Sequence, residues 1–336
     1  MKLSYLFYKG ILETGVGSLI NKFKIHRRRD ILFFEELISE YVKKCDDNNL
    51  TENLLKIGED WGKLAIKTIF PKSFFYFPLE EMYNKILRKV WISIDLVHDI
   101  KLVKKQNEIF LTTEYESGTR LIGKNPVSIG FHKGMLEGIL GKKVKLIEAK
   151  QSKKRCSYRF KVLNEKAEEV EAKGKREYFS LNKFNRKGFT TKEAIKSKVI
   201  RIKDDKLFLR GKRLLLFEST YFHLFGIYSK GIDLLPPIAE KFFNELVNAE
   251  STEDEKLRFL KHMLQFMGWG EISFLVTKDK VIMTVNHPNY GFQKKEDNWL
   301  FLIKMVEGFI KAIRKRTVLK SYNYSHGKVT AVYCKK

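Results

Sequence analysis

The sequence has few cysteines, few prolines and no long apolar segment. Its 336 residues include three Cys and six Pro. Because Cys45, Cys156 and Cys334 lie far apart and outside any C-x-x-C pair, we expect a reducing cytoplasm rather than a disulfide framework. No run of about 18 uncharged apolar residues occurs, so no membrane span is expected. Lys9 and Glu13 interrupt the apolar N-terminal stretch, which argues against a signal peptide.

The sequence motifs of common catalytic and cofactor sites are also missing. There is no G-x-S-x-G, H-E-x-x-H or G-x-x-x-x-G-K-[ST] pattern in the chain. The seven histidines are scattered, and no two are spaced i, i+4 on a predicted helix. We therefore predict no catalytic residue, no metal and no cofactor, and we do not expect an enzyme.

Acidic residues are outnumbered by basic ones. The 65 Lys and Arg residues against 40 Asp and Glu residues give a net charge of +25. Such an excess suits nucleic acid, an anionic membrane surface or an acidic protein, and its simplest interpretation is a solvated surface. No helix-turn-helix, zinc-finger or RNA-binding signature is visible. Two denser clusters form a candidate nucleic-acid or anionic surface: Lys24, Arg27, Arg28 and Arg29, and Lys153, Lys154 and Arg155.

The chain does contain enough apolar sequence for well-packed cores. Hydrophobic residues make up 43% and aromatic residues 13% of the chain, which argues against disorder. The length corresponds to about two domains. In each half, predicted helices come before two strands, one helix and two more strands. This order indicates an α+β fold, with a helical layer packed on a small antiparallel sheet in each of two similar domains.

The predicted boundaries are a first domain over residues 1–165, a charged connector over 166–205 and a second domain over 206–336. In the first half, two helices are predicted over residues 1–44 and a strand over 90–97. Further strands are predicted over 108–115, 143–148 and 157–162. In the second half, a hairpin is predicted around Gly211. The similar order of elements in the two halves indicates an internal repeat.

Glycines recur at four-residue spacing on two predicted helices. Gly58 and Gly62 lie on one of them, and Gly130, Gly134 and Gly138 lie on the other. A glycine inside a helix costs about 1 kcal/mol relative to alanine. Two on one face indicate that another element, or alternatively a ligand, lies close to the helix backbone there.

Some of these glycine-containing segments resemble a known family. The turn Met267–Gly270 is similar to the LGWG turn of vinyl-reductase-type domains, also called hydrocarbon-binding domains. Gly130–Gly138, followed by Gly141–Val144, is similar to that family's last helix and strand. Pro126–Gly134 resembles the corresponding helix of heme-based nitric-oxide sensors, which share a superfamily with trafficking subunits of the TRAPP type. The resemblance implies an α+β domain with an apolar pocket between helices and sheet.

The family's metal-binding residues are not matched. In its zinc motif, Glu148 fits the glutamate position, but Gln151 and Arg159 stand where cysteines are expected. Neither side chain replaces a thiolate. In the second half, His326 and Cys334 have the family's cysteine spacing, but a sharp turn would be needed to bring them together.

The residues that hold heme in the sensors are not matched either. The helix over residues 79–90 has no histidine to serve as the axial ligand. Tyr115–Arg120 contains the residue types of the propionate-binding motif, but its arginine is one position late. We therefore interpret this segment as a strand end and a turn.

The resemblance directs attention to aromatic side chains that would line a pocket, although aromatics at helical spacing also fill cores. The leading hypothesis is a non-catalytic protein that binds or senses a small apolar or aromatic ligand. One alternative is an interaction or scaffold module with filled pockets, which recruits a protein partner or a second copy. The other is a basic nucleic-acid-binding protein. The candidate pocket residues are Trp61, Phe74, Phe75, Trp91, Phe131, Phe266, Trp269, Trp299 and Phe309.

Overall fold

The computed structural model describes residues 3–8, 11–16, 26–69, 77–170, 189–288 and 296–336. The chain divides into two units. The continuous unit is Ile38–Ala172, and the split unit combines Met1–Leu37 with Lys173–Lys336. Helices and antiparallel sheets occur in both units, so the predicted α+β class is confirmed. None of the helices in the described ranges has both the length and the apolar character needed to cross a membrane.

The N-terminal segment forms strands where helices were predicted. It contains β1 (Leu3–Tyr8), β2 (Ile11–Val16) and β3 (His26–Phe34), followed by α1 (Glu35–Asp47). The prediction of two helices over residues 1–44 is therefore wrong for most of that range. Ile31–Phe34 are all buried, and such a continuous apolar run in a central strand has no period that distinguishes it from a buried helix.

In the continuous unit, helices pack on a four-stranded antiparallel sheet. The helices are α2 (Thr51–Ile69), α3 (Leu79–Glu81), α4 (Arg88–Ser93), α5 (Thr119–Ile122) and α6 (Pro126–Leu140), with a π-helical segment at Met82–Leu87. The strands are β4 (Asp99–Lys105), β5 (Glu108–Glu114), β6 (Lys142–Lys150) and β7 (Arg155–Lys166). They lie in the order β4-β5-β7-β6.

The predicted strand over residues 90–97 is wrong, because α4 covers Arg88–Ser93. The β-branched residues there favour a strand, but the helical path that begins at α3 continues through the π-helical segment. It buries Trp91, whose ring lies 6.2 Å from that of Tyr83. Tertiary packing overrides local propensity at this point. The strands predicted over 108–115, 143–148 and 157–162 are confirmed.

The split unit contains two sheets. Its further helices are α7 (Thr191–Lys196), α8 (Ser219–Ile227), α9 (Leu235–Leu246), α10 (Glu253–Phe266) and α11 (Leu300–Ile313). Its further strands are β8 (Ile200–Lys203), β9 (Lys206–Leu209), β10 (Lys212–Glu218), β11 (Glu271–Val276), β12 (Lys280–Asn286), β13 (Thr317–Ser325) and β14 (Lys328–Lys335). The sheet orders are β1-β2-β3-β10-β9-β8 and β11-β12-β14-β13. The hairpin predicted around Gly211 is confirmed.

Pairing of β3 with β10 places the N-terminal strands in the split unit. Phe33 lies opposite Leu215, and Leu32 lies opposite Leu216. The division therefore differs from the predicted one, since the segment 1–165 contributes to both units. Strand β8, which lies within the predicted connector 166–205, also joins this sheet. Strands so distant in sequence pair without any local sequence pattern that would predict the pairing.

The two four-stranded sheets share one strand order. In each, a hairpin is followed by a long helix and a second hairpin, and the last strand lies beside the second strand. The long helices are α6 and α11. Both sheets also have a register shift on the strand that follows this helix, in β6 and in β13.

Helices α2 and α6 touch through their backbones. A Cβ added at Gly58 or Gly62 would lie 2.1 or 2.3 Å from a carbonyl oxygen of α6. A Cβ at Gly130 or Gly134 would lie 2.0 Å from a carbonyl oxygen of α2. The predicted close approach of another element is therefore confirmed. In the split unit, a Cβ at Gly308 of α11 would likewise lie 2.2 Å from a carbonyl oxygen of α9.

Charged side chains cross-link α2 and α6 beside these glycines. Lys63 Nζ lies 2.6 Å from the carboxylates of both Glu59 and Glu137, and Lys133 also contacts both carboxylates. Lys63 and Glu137 are buried, where an unpaired charge would be strongly destabilising. Glu137 Oε1 also accepts a hydrogen bond from the Val144 amide at 3.0 Å. The cluster therefore ties the helix pair to β6.

Substituting Gly134 by alanine tests the helix contact. The new Cβ would lie 2.0 Å from the Glu59 carbonyl oxygen, and the two backbones must move apart. We expect Gly134→Ala to lower the free energy of unfolding by at least about 2 kcal/mol in urea titrations. Gly138→Ala is the matched control, because its Cβ would lie 3.1 Å from side-chain atoms of Ile66 rather than against backbone, and a shift of a few tenths of an ångström would make room for it. Equal losses in both variants would contradict the account.

The charged cluster predicts a loss of stability in acid. Burial raises the pKa of Glu59, but hydrogen bonds and charges from Lys133 and Lys63 outweigh it and lower the pKa from 4.5 to about 2. A carboxyl group whose pKa is lower in the folded state contributes its full stabilisation when the pH is above its ordinary pKa. This contribution is lost as the pH falls through the folded-state pKa. We therefore expect the free energy of unfolding to fall between pH 4.5 and about 2, and Glu59→Gln to make this decline shallower. The exposed Glu52 of α2 is the matched control, and an equal effect of Glu52→Gln would contradict the assignment.

Candidate functional site

A buried carboxylate lies at the centre of the continuous unit's polar interior. Glu116 follows β5 and is only 6% exposed. Its Oε1 is 3.0 Å from His132 Nε2, and its Oε2 accepts hydrogen bonds from Thr113 Oγ1 at 2.7 Å and Tyr158 OH at 2.8 Å. All three partners are also buried. The site therefore combines a β5 hydroxyl, an α6 imidazole and a β7 phenol on one carboxylate.

The backbone around Glu116 turns sharply to aim its side chain inward. Tyr115 and Gly118 have positive φ angles of 46° and 79°, and the left-handed region is unfavourable for a tyrosine. The amide of Ser117 donates to the Leu96 carbonyl oxygen at 2.7 Å, which anchors the turn. This geometry matches the turn predicted for Tyr115–Arg120 as far as Gly118, and α5 begins at Thr119.

A second layer of polar groups fixes the start of α6. Asn125 Oδ1 accepts a hydrogen bond from the Val127 amide at 3.0 Å, with Pro126 as the first helical residue. Gln151 Nε2 donates to the Asn125 carbonyl oxygen at 3.1 Å and to Tyr158 OH at 3.0 Å. A side-chain cap and proline at the first helical position both favour this helix start. The network therefore sets where α6 begins and how Tyr158 is oriented.

The protonation pattern follows from the pKa shifts. Burial raises the pKa of Glu116, but attraction to His132 and hydrogen bonds from His132, Thr113 and Tyr158 bring the net pKa below its ordinary value. Burial, followed by the charge of Glu116, raises the pKa of Tyr158 well above its ordinary value. The carboxylate therefore only accepts, and the phenol keeps its proton. His132 must carry a proton on Nε2 to donate to Glu116.

The other ring nitrogen of His132, Nδ1, does not take part in this network. It is buried and has no hydrogen-bond partner among the residues that the structure describes. A buried polar atom without a partner costs about 1–3 kcal/mol, so such atoms are uncommon and call for an explanation.

Aromatic rings surround His132. The ring of Trp91 lies 5.8 Å from the imidazole and that of Tyr158 lies 4.9 Å from it. Phe131 contacts Trp91 at 5.6 Å and Trp61 at 4.2 Å. The structure therefore brings three of the predicted pocket residues together, with His132 next to two of them. Phe74 and Phe75 lie outside the described residues.

The predicted pocket residues of the split unit each contact a different ring. Phe266 lies 5.7 Å from Phe189, and Trp269 lies 5.2 Å from Phe222. Trp299 stacks on Tyr324 at 4.3 Å, and Phe309 lies 5.0 Å from Phe243. All four predicted residues are buried. Their role as pocket residues stays a prediction.

The predicted basic clusters fall in different units. Lys153, Lys154 and Arg155 are exposed at the turn between β6 and β7, where Ser152 Oγ accepts a hydrogen bond from the Arg155 amide at 3.1 Å. Lys24 lies outside the described residues, and Arg27, Arg28 and Arg29 belong to β3, whose backbone pairs with β2. Their role as an anion-binding surface stays a prediction.

The positions of the family's zinc motif have other partners. Glu148 forms an ion pair with Lys150 at 2.7 Å, and Arg159 forms one with Glu108 at 2.8 Å. Gln151 belongs to the hydrogen-bond network described above. Since each of these side chains is engaged elsewhere and none is a thiolate, the segment does not fit a zinc ion.

His326 and Cys334 are not brought together by the turn between them. His326 and Gly327 form the β13–β14 turn, with φ angles of 49° and 73°. Cys334 lies towards the other end of β14, opposite Val318. Among the residues that the structure describes, no group of three or more His, Cys, Asp or Glu side chains is arranged to hold a metal ion.

The centre of this site was not predicted from the sequence. Glu116 and His132 lie within two of the compared motifs, Tyr115–Arg120 and Pro126–Gly134, but neither residue had a predicted role. The two residues are 16 positions apart, and Tyr158 is 42 positions from Glu116. Cys156 is buried beside this site, and its Sγ lies 3.5 Å from Thr119 Oγ1. The pairing of β5 with β7 and the position of α6 beside them place these groups side by side.

The chain was also compared with known proteins. No family model matches it, and no curated protein matches its sequence. The resemblance to vinyl-reductase-type domains therefore rests on its short motifs and stays a prediction.

Proposed function

We propose that the continuous unit binds a small, flat and mostly apolar molecule that carries a hydroxyl group. The observation that supports this most is the unpartnered Nδ1 of His132, buried beside Trp91 and Phe131. Ligand sites of this kind combine apolar walls with a few fixed polar groups. A hydroxyl group fits Nδ1 because it either donates or accepts a hydrogen bond.

The Glu116 network gives this histidine a fixed orientation. Since the carboxylate accepts from Nε2, Thr113 and Tyr158, the imidazole cannot rotate without breaking a buried hydrogen bond. A fixed polar group lowers the entropic cost of binding. The network therefore supports a binding role, because it fixes the ring of His132 through Nε2 and leaves Nδ1 for a ligand.

We also propose that the two units contain copies of one domain. The shared strand order of the two four-stranded sheets supports this, as does a glycine of the long helix against a partner helix in both units. A tandem sensor or carrier in the cytoplasm is the function that this arrangement suggests. The interaction-module and nucleic-acid alternatives stay predictions.

A matched pair of ligands tests the proposed function. p-Cresol and p-xylene are flat molecules of similar size, and they differ in one hydroxyl group. We expect p-cresol to bind more tightly by roughly fivefold to tenfold, the value of one hydrogen bond of about 1 kcal/mol. Isothermal titration and thermal unfolding measure this difference. Longer phenols, fatty acids and isoprenoid alcohols complete the panel.

The variant His132→Gln should abolish that difference. Glutamine places an amide donor near the position of Nε2, so it preserves the bond to Glu116, but it has no equivalent of Nδ1. His98→Gln, at an exposed histidine of the same unit, should bind both compounds like the unmodified protein. The proposal fails if no compound of the panel raises the melting temperature, or if His132→Gln still prefers p-cresol.

A further inference from the structure

A basic cleft in the split unit has no part in the proposed function. It has a volume of about 480 Å³ and is formed by four segments that are distant in sequence. These are Glu253 at the start of α10, the β11–β12 turn at Lys278–Lys280, the segment Arg314–Thr317 between α11 and β13, and Lys335 near the end of β14. Six of its side chains are basic, whereas only Glu253 and Asp279 are acidic.

Arg314 holds the cleft in shape. Its guanidinium donates to the carbonyl oxygens of Thr277 and Lys278 at 2.8 and 3.0 Å, and it pairs with Glu253 at 3.1 Å. The Lys335 amide donates to the Asp279 carbonyl oxygen at 3.0 Å. These bonds fix the turn against the ends of α11 and β14. Hydrogen bonds and an ion pair within the fold therefore set the shape of the cleft.

The other five basic side chains are available to contact a ligand. Within the described ranges they make no ion pair and no side-chain hydrogen bond. Arg316 lies in the left-handed region with φ of 65°, a conformation that a non-glycine residue adopts at some cost. Like charges gathered at one place repel one another, and a bound anion would remove this repulsion. The five residues are Lys278, Lys280, Lys315, Arg316 and Lys335.

We propose that this cleft binds a compact polyanion, a small molecule that carries two or more phosphate groups. Lysine ammonium groups bind phosphate as point charges, and arginine binds it through paired donors. The volume lies within the range of small-molecule sites, which favours a compact ligand over a polynucleotide. Buried Val281 and Thr317 also line the cleft. The proposal does not depend on the ligand site of the continuous unit.

Titration with inorganic tripolyphosphate tests the proposal on the full chain. We expect saturable binding with one molecule per chain, weakened as salt is raised from about 50 to about 300 mM because the charges are exposed and screened. The double variant Lys280→Gln/Lys335→Gln should bind at least about tenfold more weakly. Lys280→Arg/Lys335→Arg retains both charges and should bind within about threefold of the unmodified protein.

A second double variant controls for net charge. Lys101→Gln/Lys105→Gln removes two exposed charges from β4 of the continuous unit, and it should leave tripolyphosphate binding unchanged. Equal weakening in both glutamine double variants, or no binding at low salt, would overturn the proposal. Labelled single-stranded RNA and duplex DNA form a separate arm. If these bind through the cleft lysines while tripolyphosphate does not bind, the cleft is a nucleic-acid surface and the proposal is wrong.

Discussion

The backbone contact between α2 and α6 is the constraint on which the continuous unit depends. Carbonyl oxygens of each helix occupy the space that a Cβ of the other would need, so the two axes are held at a separation that only glycine permits. Phe131 and His132 lie between Gly130 and Gly134 on α6. This contact therefore sets the distance of both residues from the sheet. It also sets how closely His132 approaches Glu116.

Two groups of buried charges extend this constraint to the sheet. Lys63 and Glu137 join the helices to each other and to β6, while Glu116 joins α6 to β5 and β7. Burying a charge is unfavourable, and it is tolerated here because every carboxylate has several donors. The two groups consequently specify one arrangement of helix and sheet. Within the described ranges, His132 Nδ1 has no hydrogen-bond partner, although the imidazole is held in place by Glu116, which is why we assign it to a ligand.

Local sequence features account for much of the fold but for little of the site. The glycine spacing on α2 and α6 predicts a close helix contact because no other residue permits it. The hairpin at Gly211 follows from turn chemistry. By contrast, packing against distant elements determines the conformation of the apolar run in β3 and of the strand-like residues in α4. Lys280 and Lys335 of the basic cleft become neighbours through sheet pairing. Glu116 and His132 become neighbours because α6 packs beside the end of β5, and the local sequence contains no sign of either contact.

The protonation state of His132 tests the central claim most directly, and nitrogen-15 NMR of the labelled imidazole measures it. The account predicts a proton on Nε2 that exchanges slowly with solvent, because it is buried and bonded to Glu116. It also predicts that only the Nδ1 resonance moves strongly when a hydroxyl-bearing ligand binds. A ring with its proton on Nδ1 and a bare Nε2 would contradict the account, and so would an Nδ1 resonance that stays unchanged in the ligand-bound protein.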